Sequence, residues 1–372
     1  MRKIDLIVGV RPDIILAAAL EQAFKDYEDT LDLRLICTWQ HYDPELSQDL
    51  FDQFKLKPYA NLDIVRIEGI QNIASIMVAY ENQLKLDPPD LVMILGNSDS
   101  ALACSLVSAR LNLKIAHIDS GLRSFDNHLA EEQNDILIDR LSSFLFTGSE
   151  EAVINLIREG YDSVNMFESG NVRADAVFKN LGFAEDSTIL DRYGLEPSSY
   201  IMVTLHHNHI LRNSEFVRSF FTMLEELSEN IRIYILLHPK TLMVLESMPE
   251  IILESTDNLQ FMNPQNYLDT LKLLKNTALL VTDSQGLQEE STILGVQCLT
   301  LGSITNRPIT LARGTNTLVG TDVTGIRTKI LSIMDGDRLD GYPIPGWEGK
   351  AGQRIAKYLS ETLEIVDTDK EL

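Results

Sequence analysis

The stretch Ile4-Asp5-Leu6-Ile7-Val8-Gly9-Val10-Arg11-Pro12-Asp13 decides how the chain is read. Branched apolar residues run to Gly9 with one interruption, as in a strand covered on both faces of a parallel sheet. Pro12 then opens a helix at a position where its missing N–H is harmless, and a helical pattern follows over residues 14–25. Strand, glycine turn and helix form half of a βαβ unit, and the chain repeats them. Short apolar runs at 33–37, 62–67, 91–95, 115–118 and 145–146 alternate with helix-length patterns at 70–84, 100–111 and 131–141. After a strand at 166–168 the rhythm restarts, with strands at 201–205, 231–237, 279–281 and 298–301 and helices at 216–227, 267–274 and 287–294. The fold class is therefore α/β, in two doubly wound domains. The alternative, one large sheet, would need an unusually long array of strands. The join is expected near residues 169–181, giving domains 1–170 and 171–352. Two such domains facing each other would form a central cleft at the carboxyl ends of their strands, where ligands of open α/β sheets bind.

At 372 residues the chain has room for two or three domains of roughly 150 each. It carries 55 Asp and Glu against 32 Lys and Arg, a net charge of −23. That balance excludes a nucleic-acid binder, which needs a basic face, and disfavours docking on anionic lipid. One phosphorylated small molecule still fits, because a few arginines and helix N-termini can make a local positive pocket. No apolar run approaches the roughly 18 residues of a membrane span. Asp5 and Asp13 break the basic opening, which reads as a first strand and not as a signal peptide. Cys37, Cys104 and Cys298 are odd in number, far apart and set in apolar stretches. They read as buried thiols of a cytoplasmic protein.

Five segments carry residues suited to chemistry. Arg11 stands at a helix N-terminus, a place for a phosphate and equally for a surface arginine. In Leu95-Gly96-Asn97-Ser98-Asp99-Ser100 a strand ends at Gly96 and one of the next three residues caps a helix. In His117-Ile118-Asp119-Ser120-Gly121-Leu122-Arg123 a strand closes on Asp119, while Glu131 and Glu132 open the following helix. The helix dipole alone explains acids there; carboxylates converging on one cleft would serve as general acid and base. Four of the seven histidines lie in Leu205-His206-His207-Asn208-His209 and at His238. With no Cys nearby and no helical His spacing, no metal is expected there. Finally, Thr282-Asp283-Ser284-Gln285-Gly286-Leu287-Gln288-Glu289-Glu290 reads as strand, tight turn and helix start. Backbone N–H groups at Ser284 and Gly286 would point at an anion, and Glu290 could accept two ribose hydroxyls. The loops Asn306-Arg307-Pro308 and Arg313-Gly314-Thr315 add cations to the same edge.

Taken in order, these segments resemble the non-hydrolysing UDP-N-acetylglucosamine 2-epimerases. The resemblance rests on residues 9–12, 117–123, Glu131-Glu132 with Asn134, Gly170-Asn171 with Asp175, Val203-Thr204 with His206, His238-Pro239 and residues 282–290. Arg307-Pro308 and residues 314–322 complete it, across almost the whole chain. It implies two Rossmann-like domains in the glycosyltransferase-B arrangement, with a C-terminal helix, residues 353–372, returning to the first domain. It implies interconversion of UDP-N-acetylglucosamine and UDP-N-acetylmannosamine through a glycal, without a cofactor or metal, by a homodimer. By position, Asp119, Glu131 and His206 fall on catalytic places, with Asn97 beside them. Ser284, Gln285, Gly286, Glu290 and Arg307 fall on the UDP-binding places, with Arg11, Arg123, His207 and His238 toward the substrate.

Several residues depart from the family's pattern. Asn97 stands for an aspartate and cannot titrate. Asp119 stands for a glutamate and is one methylene shorter. Leu16 replaces a lysine, Asp135 an arginine, His207-Asn208-His209 an Arg-Arg-Glu run, Gln285 a glycine and Ile309 a glutamate. Positive charge is thus withdrawn from the substrate-facing side while the UDP turn is largely kept. Three readings follow: a 2-epimerase for this or a related UDP-sugar; a hydrolysing 2-epimerase releasing UDP and free N-acetylmannosamine; and a nucleotide-sugar-binding protein with impaired chemistry.

Overall fold

The computed structural model describes residues 1–38, 44–64, 69–206, 208–248, 251 and 254–368. They fall into two compact units: Met1–Lys179 with Pro345–Leu372, and Asn180–Ile344. The first holds a seven-stranded sheet of β1 (Arg2–Val8), β2 (Leu31–Cys37), β3 (Ala60–Asn61), β4 (Leu91–Leu95), β5 (Lys114–Ile118), β6 (Phe144–Thr147) and β7 (Met166–Glu168), in the order 3-2-1-4-5-6-7. The second holds β8 (Tyr200–Leu205), β9 (Arg232–Leu237), β10 (Leu259–Met262), β11 (Leu279–Thr282), β12 (Cys298–Leu301) and β13 (Asn316–Gly320), in the order 10-9-8-11-12-13. Neighbouring strands pair in parallel throughout. Two separate sheets exclude the single large one.

The strands form where apolar runs can be buried from both sides: all five residues of β4 and all six of β8 are buried. Asp5 on β1 stands in register with Arg34 on β2, whose Nε donates to its Oδ1 at 2.8 Å. That buried ion pair ties the two strands to one register, since a slip would leave both charges unpaired. Helices start on small polar caps. Ser98 Oγ accepts from Ala101 N in front of helix Asp99–Arg110, and Ser284 Oγ accepts from Leu287 N in front of helix Gln285–Leu294. The three cysteines are buried and unpaired, and no described helix is long and apolar enough to cross a membrane.

Two details depart from the sequence reading. The strand expected at 62–67 is replaced by the two-residue β3; residues 62–64 are not in a strand, and 65–68 lie outside the described residues. The unit boundaries fall at 179/180 and 344/345 in place of 170/171 and 352/353. Helix Val172–Glu185 runs unbroken through the first, and residues 346–352 are bound into the first unit. Asn171 N donates to Gly346 O at 3.1 Å, and Trp347 Nε1 to Gly148 O at 2.9 Å. Asp175 accepts from Ala351 N and Gly352 N at 3.0 and 2.7 Å, capping helix Ala351–Thr368. Gly352 then packs on Leu20 and Ala23 of helix Arg11–Phe24. The chain crossing at Gly170, φ 83°, is so close that a Cβ there would lie 2.0 Å from Gly346 O, which is why neither residue carries a side chain.

Candidate functional site

In each sheet the strand order reverses once, between β1 and β4 and between β8 and β11, and the loops beyond those carboxyl ends are where such folds bind ligands. Beyond β1, Gly9 packs against Ser100, where an added Cβ would lie 2.4 Å from Ser100 Cβ. Asp13 turns back to accept from Gly9 N and Val10 N at 2.9 and 3.0 Å. The backbone donors of this turn are thus engaged by the chain's own carboxyl, and Arg11 stands half-buried beside them. Leu16 is buried in the same helix and faces the core. Burial pushes Asp13 up to about 7, against the lowering effect of its two N–H donors and of Arg173.

The sign of that shift is destabilising at high pH. Below the unfolded value both states hold the proton; from there to about 7 the unfolded chain ionises first, so stability falls by up to about 4 kcal/mol and then levels. Asp13→Asn keeps an oxygen that can accept both N–H groups. It is expected to be more stable than the native chain at about pH 8, the gap closing toward about pH 5, in denaturant titrations.

Beyond β4 and β5 a polar cluster gathers. Gly96 turns with φ 55°, and Asn97 follows it. Asn97 Nδ2 donates to Asp135 Oδ2 at 2.8 Å, and Asn97 O accepts from Asn134 Nδ2 at 2.9 Å. Asp135 is 2% exposed, held in the first unit by this contact. Asp119 follows β5 in a left-handed conformation, φ 66°, and is also buried. That backbone is unfavourable for any residue but Gly, Asn or Asp, and strain of this kind gathers at functional sites.

One shell deeper, His117 places Nδ1 2.6 Å from Asp139 Oδ1 and Nε2 3.1 Å from Gly96 O. Burial disfavours the charged ring, but Asp139, Asp135 and the Gly96 carbonyl outweigh it and raise His117 above the usual value. Both partners are acceptors, so the ring bridges Asp139 and the Gly96 carbonyl and fixes the Gly96 turn under Asn97. Asp139 also accepts from Gly121 N and Arg123 Nη2, at 3.0 and 2.8 Å. Arg123 is 3% exposed and gives its remaining donors to Glu159 and Leu122 O. Its guanidinium, expected to face substrate, is a buried brace. Glu132 accepts from Ser124 N, Ser124 Oγ and Phe125 N, whereas half-exposed Glu131 makes no hydrogen bond among the described residues.

In the second unit, His206 follows β8. Asp283, after β11, accepts from His206 N at 2.9 and 3.1 Å, and its Oδ1 lies 3.1 Å from Nδ1. The carboxylate thereby orients the imidazole through Nδ1. The His238 ring lies 5.4 Å away, centroid to centroid. Its Nδ1 accepts from Lys240 N, so it caps helix Pro239–Glu246 and its proton sits on Nε2. His207 lies outside the described residues.

Thr204 and Thr282 hydroxyls meet at 2.6 Å across β8 and β11, and Thr282 Oγ1 accepts from Ser284 N. Ser284, Gln285 and Gly286 are half-buried at the helix start, while Glu290 is buried. Gln285 Oε1 accepts from Asn306 Nδ2, and Arg307 Nε donates to Glu289 Oε1 at 2.9 Å. Arg307 Nη1 and Asn306 Oδ1 are buried without a hydrogen-bond partner among the described residues. The Ser284 N–H, expected to point at an anion, is thus given to Thr282; buried polar atoms seldom go unmatched, and the donor and acceptor at Arg307 and Asn306 suit a nucleotide. Ile309, by contrast, is packed in the interior. Sequence reasoning quoted Asp13, Asp283 and Glu289 without giving them a role in the site, and missed Asp139. Asp283, next after a strand and before the Ser284 turn, was the one its position could have disclosed.

These two units make a two-domain Rossmann-like α/β protein. A family model described as UDP-N-acetylglucosamine 2-epimerase matches residues 24–360. A UDP-N-acetylglucosamine 2-epimerase of Methanocaldococcus jannaschii is 32% identical, over 96% of this chain and 99% of that protein. A UDP-2,3-diacetamido-2,3-dideoxy-D-glucuronate 2-epimerase of Pseudomonas aeruginosa is also 32% identical, with the same coverage of 96% and 99%. The crystal structure of the M. jannaschii UDP-GlcNAc 2-epimerase in complex with UDP-GlcNAc and UDP is similar at a TM-score of 0.87 and 31% identity, over 96% of this chain and 99% of that one. The chain belongs to the UDP-N-acetylglucosamine 2-epimerase family.

Proposed function

We propose that the chain is a UDP-N-acetylhexosamine 2-epimerase that interconverts UDP-N-acetylglucosamine and UDP-N-acetylmannosamine. The observation that carries this reading is a buried carboxylate, Asp119, kept in a left-handed backbone at the end of β5 in a chain of this family. In the forward direction the C2–H bond and the C1–O bond to UDP break, a C1=C2 double bond forms, and UDP departs. UDP then re-forms its bond to C1 as a proton is delivered to the other face of C2. The C2 proton is weakly acidic, so its removal must accompany the positive charge that grows at C1 as UDP leaves.

In this reading Asp119 and Glu131 take and return the C2 proton. His206, its Nδ1–H given to Asp283, exchanges a proton with the diphosphate through Nε2. Ser284, Gln285, Gly286, Glu290 and Arg307 hold UDP so that it can return, with Arg11 and His238 adding donors, and Asn97 contacts the sugar. Arg123 braces Asp139. No cofactor is required. The same reading makes the protein a cytoplasmic homodimer supplying an amino sugar to polysaccharide synthesis.

A proton NMR time course with UDP-N-acetylglucosamine tests it. The expected result is a second UDP-linked anomeric signal that grows to a reversible equilibrium. Steady, irreversible release of UDP and free N-acetylmannosamine would identify the hydrolysing reaction instead, and bound UDP without either product a carrier.

A further inference from the structure

The loop that joins β5 to helix Ala130–Leu141 has Asp119 at one end and Glu131 at the other. Its middle holds a conformation that phenylalanine avoids. Phe125, six residues from each carboxylate, has a φ of 61°, in the left-handed region where a bulky side chain crowds its own backbone. The residue is 71% exposed, so packing of the ring on the fold does not account for that conformation. The loop's own hydrogen bonds impose it. Glu132 accepts from Phe125 N at 3.1 Å and from Ser124 N and Oγ. Ser124 Oγ accepts from Asp126 N, Asp126 O from Leu129 N, and Asn127 O from Gln133 Nε2. The bond to Glu132 brings the main chain of Phe125 to the first turn of the helix, where Glu131 is the preceding residue. An exposed apolar ring is thus fixed in an unfavourable backbone next to a site, and strain of that kind persists where a ligand uses it.

We infer that Phe125 is a specificity-determining residue: its ring covers the methyl of the acetamido group on C2 and makes the chain selective for the N-acetyl sugar. The inference rests on the epimerase reading, which puts C2 at Asp119 and Glu131. The acetamido group hangs on the carbon whose proton those two exchange, and its methyl is the apolar substituent of an otherwise hydroxylated sugar. A ring held between the two carboxylates along the chain therefore has that methyl as its nearest apolar partner. Covering it takes both surfaces out of water, a gain that a sugar without the methyl does not offer.

The test compares UDP-N-acetylglucosamine with UDP-N-formylglucosamine, which differ by one methyl group, in Kd and in kcat/KM. The native chain is expected to bind the acetyl sugar at least about fourfold more tightly, the worth of one buried methyl. Phe125→Gly and Phe125→Asn both accept a φ of 61° and both remove the ring. Each is expected to shrink the preference below about twofold while remaining at least as stable as the native chain in denaturant titrations. A ring kept only for structure would do the reverse, costing stability and leaving the ratio alone. Equal affinity of the native chain for the two sugars, or an unchanged ratio in either variant, overturns the inference. So does a loss of stability in both variants. Turnover of neither sugar would overturn the epimerase reading alone, because the Kd ratio still reads the contact with the methyl.

Discussion

Asp119→Asn is expected to lower kcat at least about 10³-fold while UDP binding and the fold persist. The substitution isolates one variable. After Gly, Asn is the residue that best tolerates the φ of 66° which Asp119 adopts, so the backbone at the end of β5 has no reason to move. The carboxamide fills the same space as the carboxylate, near Gly148. What disappears is an oxygen that can hold a proton, and with it the exchange at C2. Asp119 is not among the UDP contacts of this reading, so the rise in melting temperature produced by UDP should be unchanged. A variant retaining more than about a tenth of native kcat would remove Asp119 from the proton-transfer role.

The second large effect falls on stability. Asp139→Ala is expected to destabilise the first unit by about 3–5 kcal/mol, the range for breaking a buried ion pair by deleting one partner. Asp139 is fully buried and joins three groups: His117 Nδ1 and Gly121 N, and Arg123 Nη2, which it shares with Glu159. Its removal strands a charged imidazole and part of a guanidinium in the interior. Both tryptophans, Trp39 and Trp347, belong to the first unit's sequence, so denaturation followed by tryptophan fluorescence reports that unit. The pH dependence has a definite sign. His117 has its folded value raised, so its stabilising contribution is complete below the unfolded value of roughly 6.5 and fades as pH rises through the folded one. The deficit of Asp139→Ala should therefore be larger on the acid side and shrink on the alkaline side.

Much of the fold was legible because apolar continuity and helix caps are local. β4 and β12 begin and end where the runs 91–95 and 298–301 do. β10 escaped because Leu259–Met262 buries only its outer two residues, so no continuous run marks it. At 62–64 the expected strand is absent for the opposite reason: the residues form a run, but the place beside β2 is taken by Ala60 and Asn61. The site was legible in residue types and not in partners. Arg123 sits in a motif that looks ready for an anion, and nothing local reveals Glu159 thirty-six residues on. Asp135 reads as a lone inversion of charge until the fold brings it to Asn97, thirty-eight residues away. Asp13 reads as an acid in a first helical turn, favoured by the dipole; only the fold returns it to Gly9 N and Val10 N.

The acidic balance of the chain, −23 overall, acquires a local meaning from these contacts. In the proposed reading, Asp119 and Glu131 of the first unit act on the sugar, while Arg307 and the Ser284 turn of the second unit hold the diphosphate. The measurement that bears most directly on the account is incubation with UDP-N-acetylglucosamine in heavy water, with deuterium read at C2 of the recovered UDP-sugar. The account predicts deuterium at C2 in the epimer and, as equilibrium is approached, in the substrate pool. Epimerisation with C2 still fully protonated would contradict it, because Asp119 and Glu131 would then have no proton to exchange.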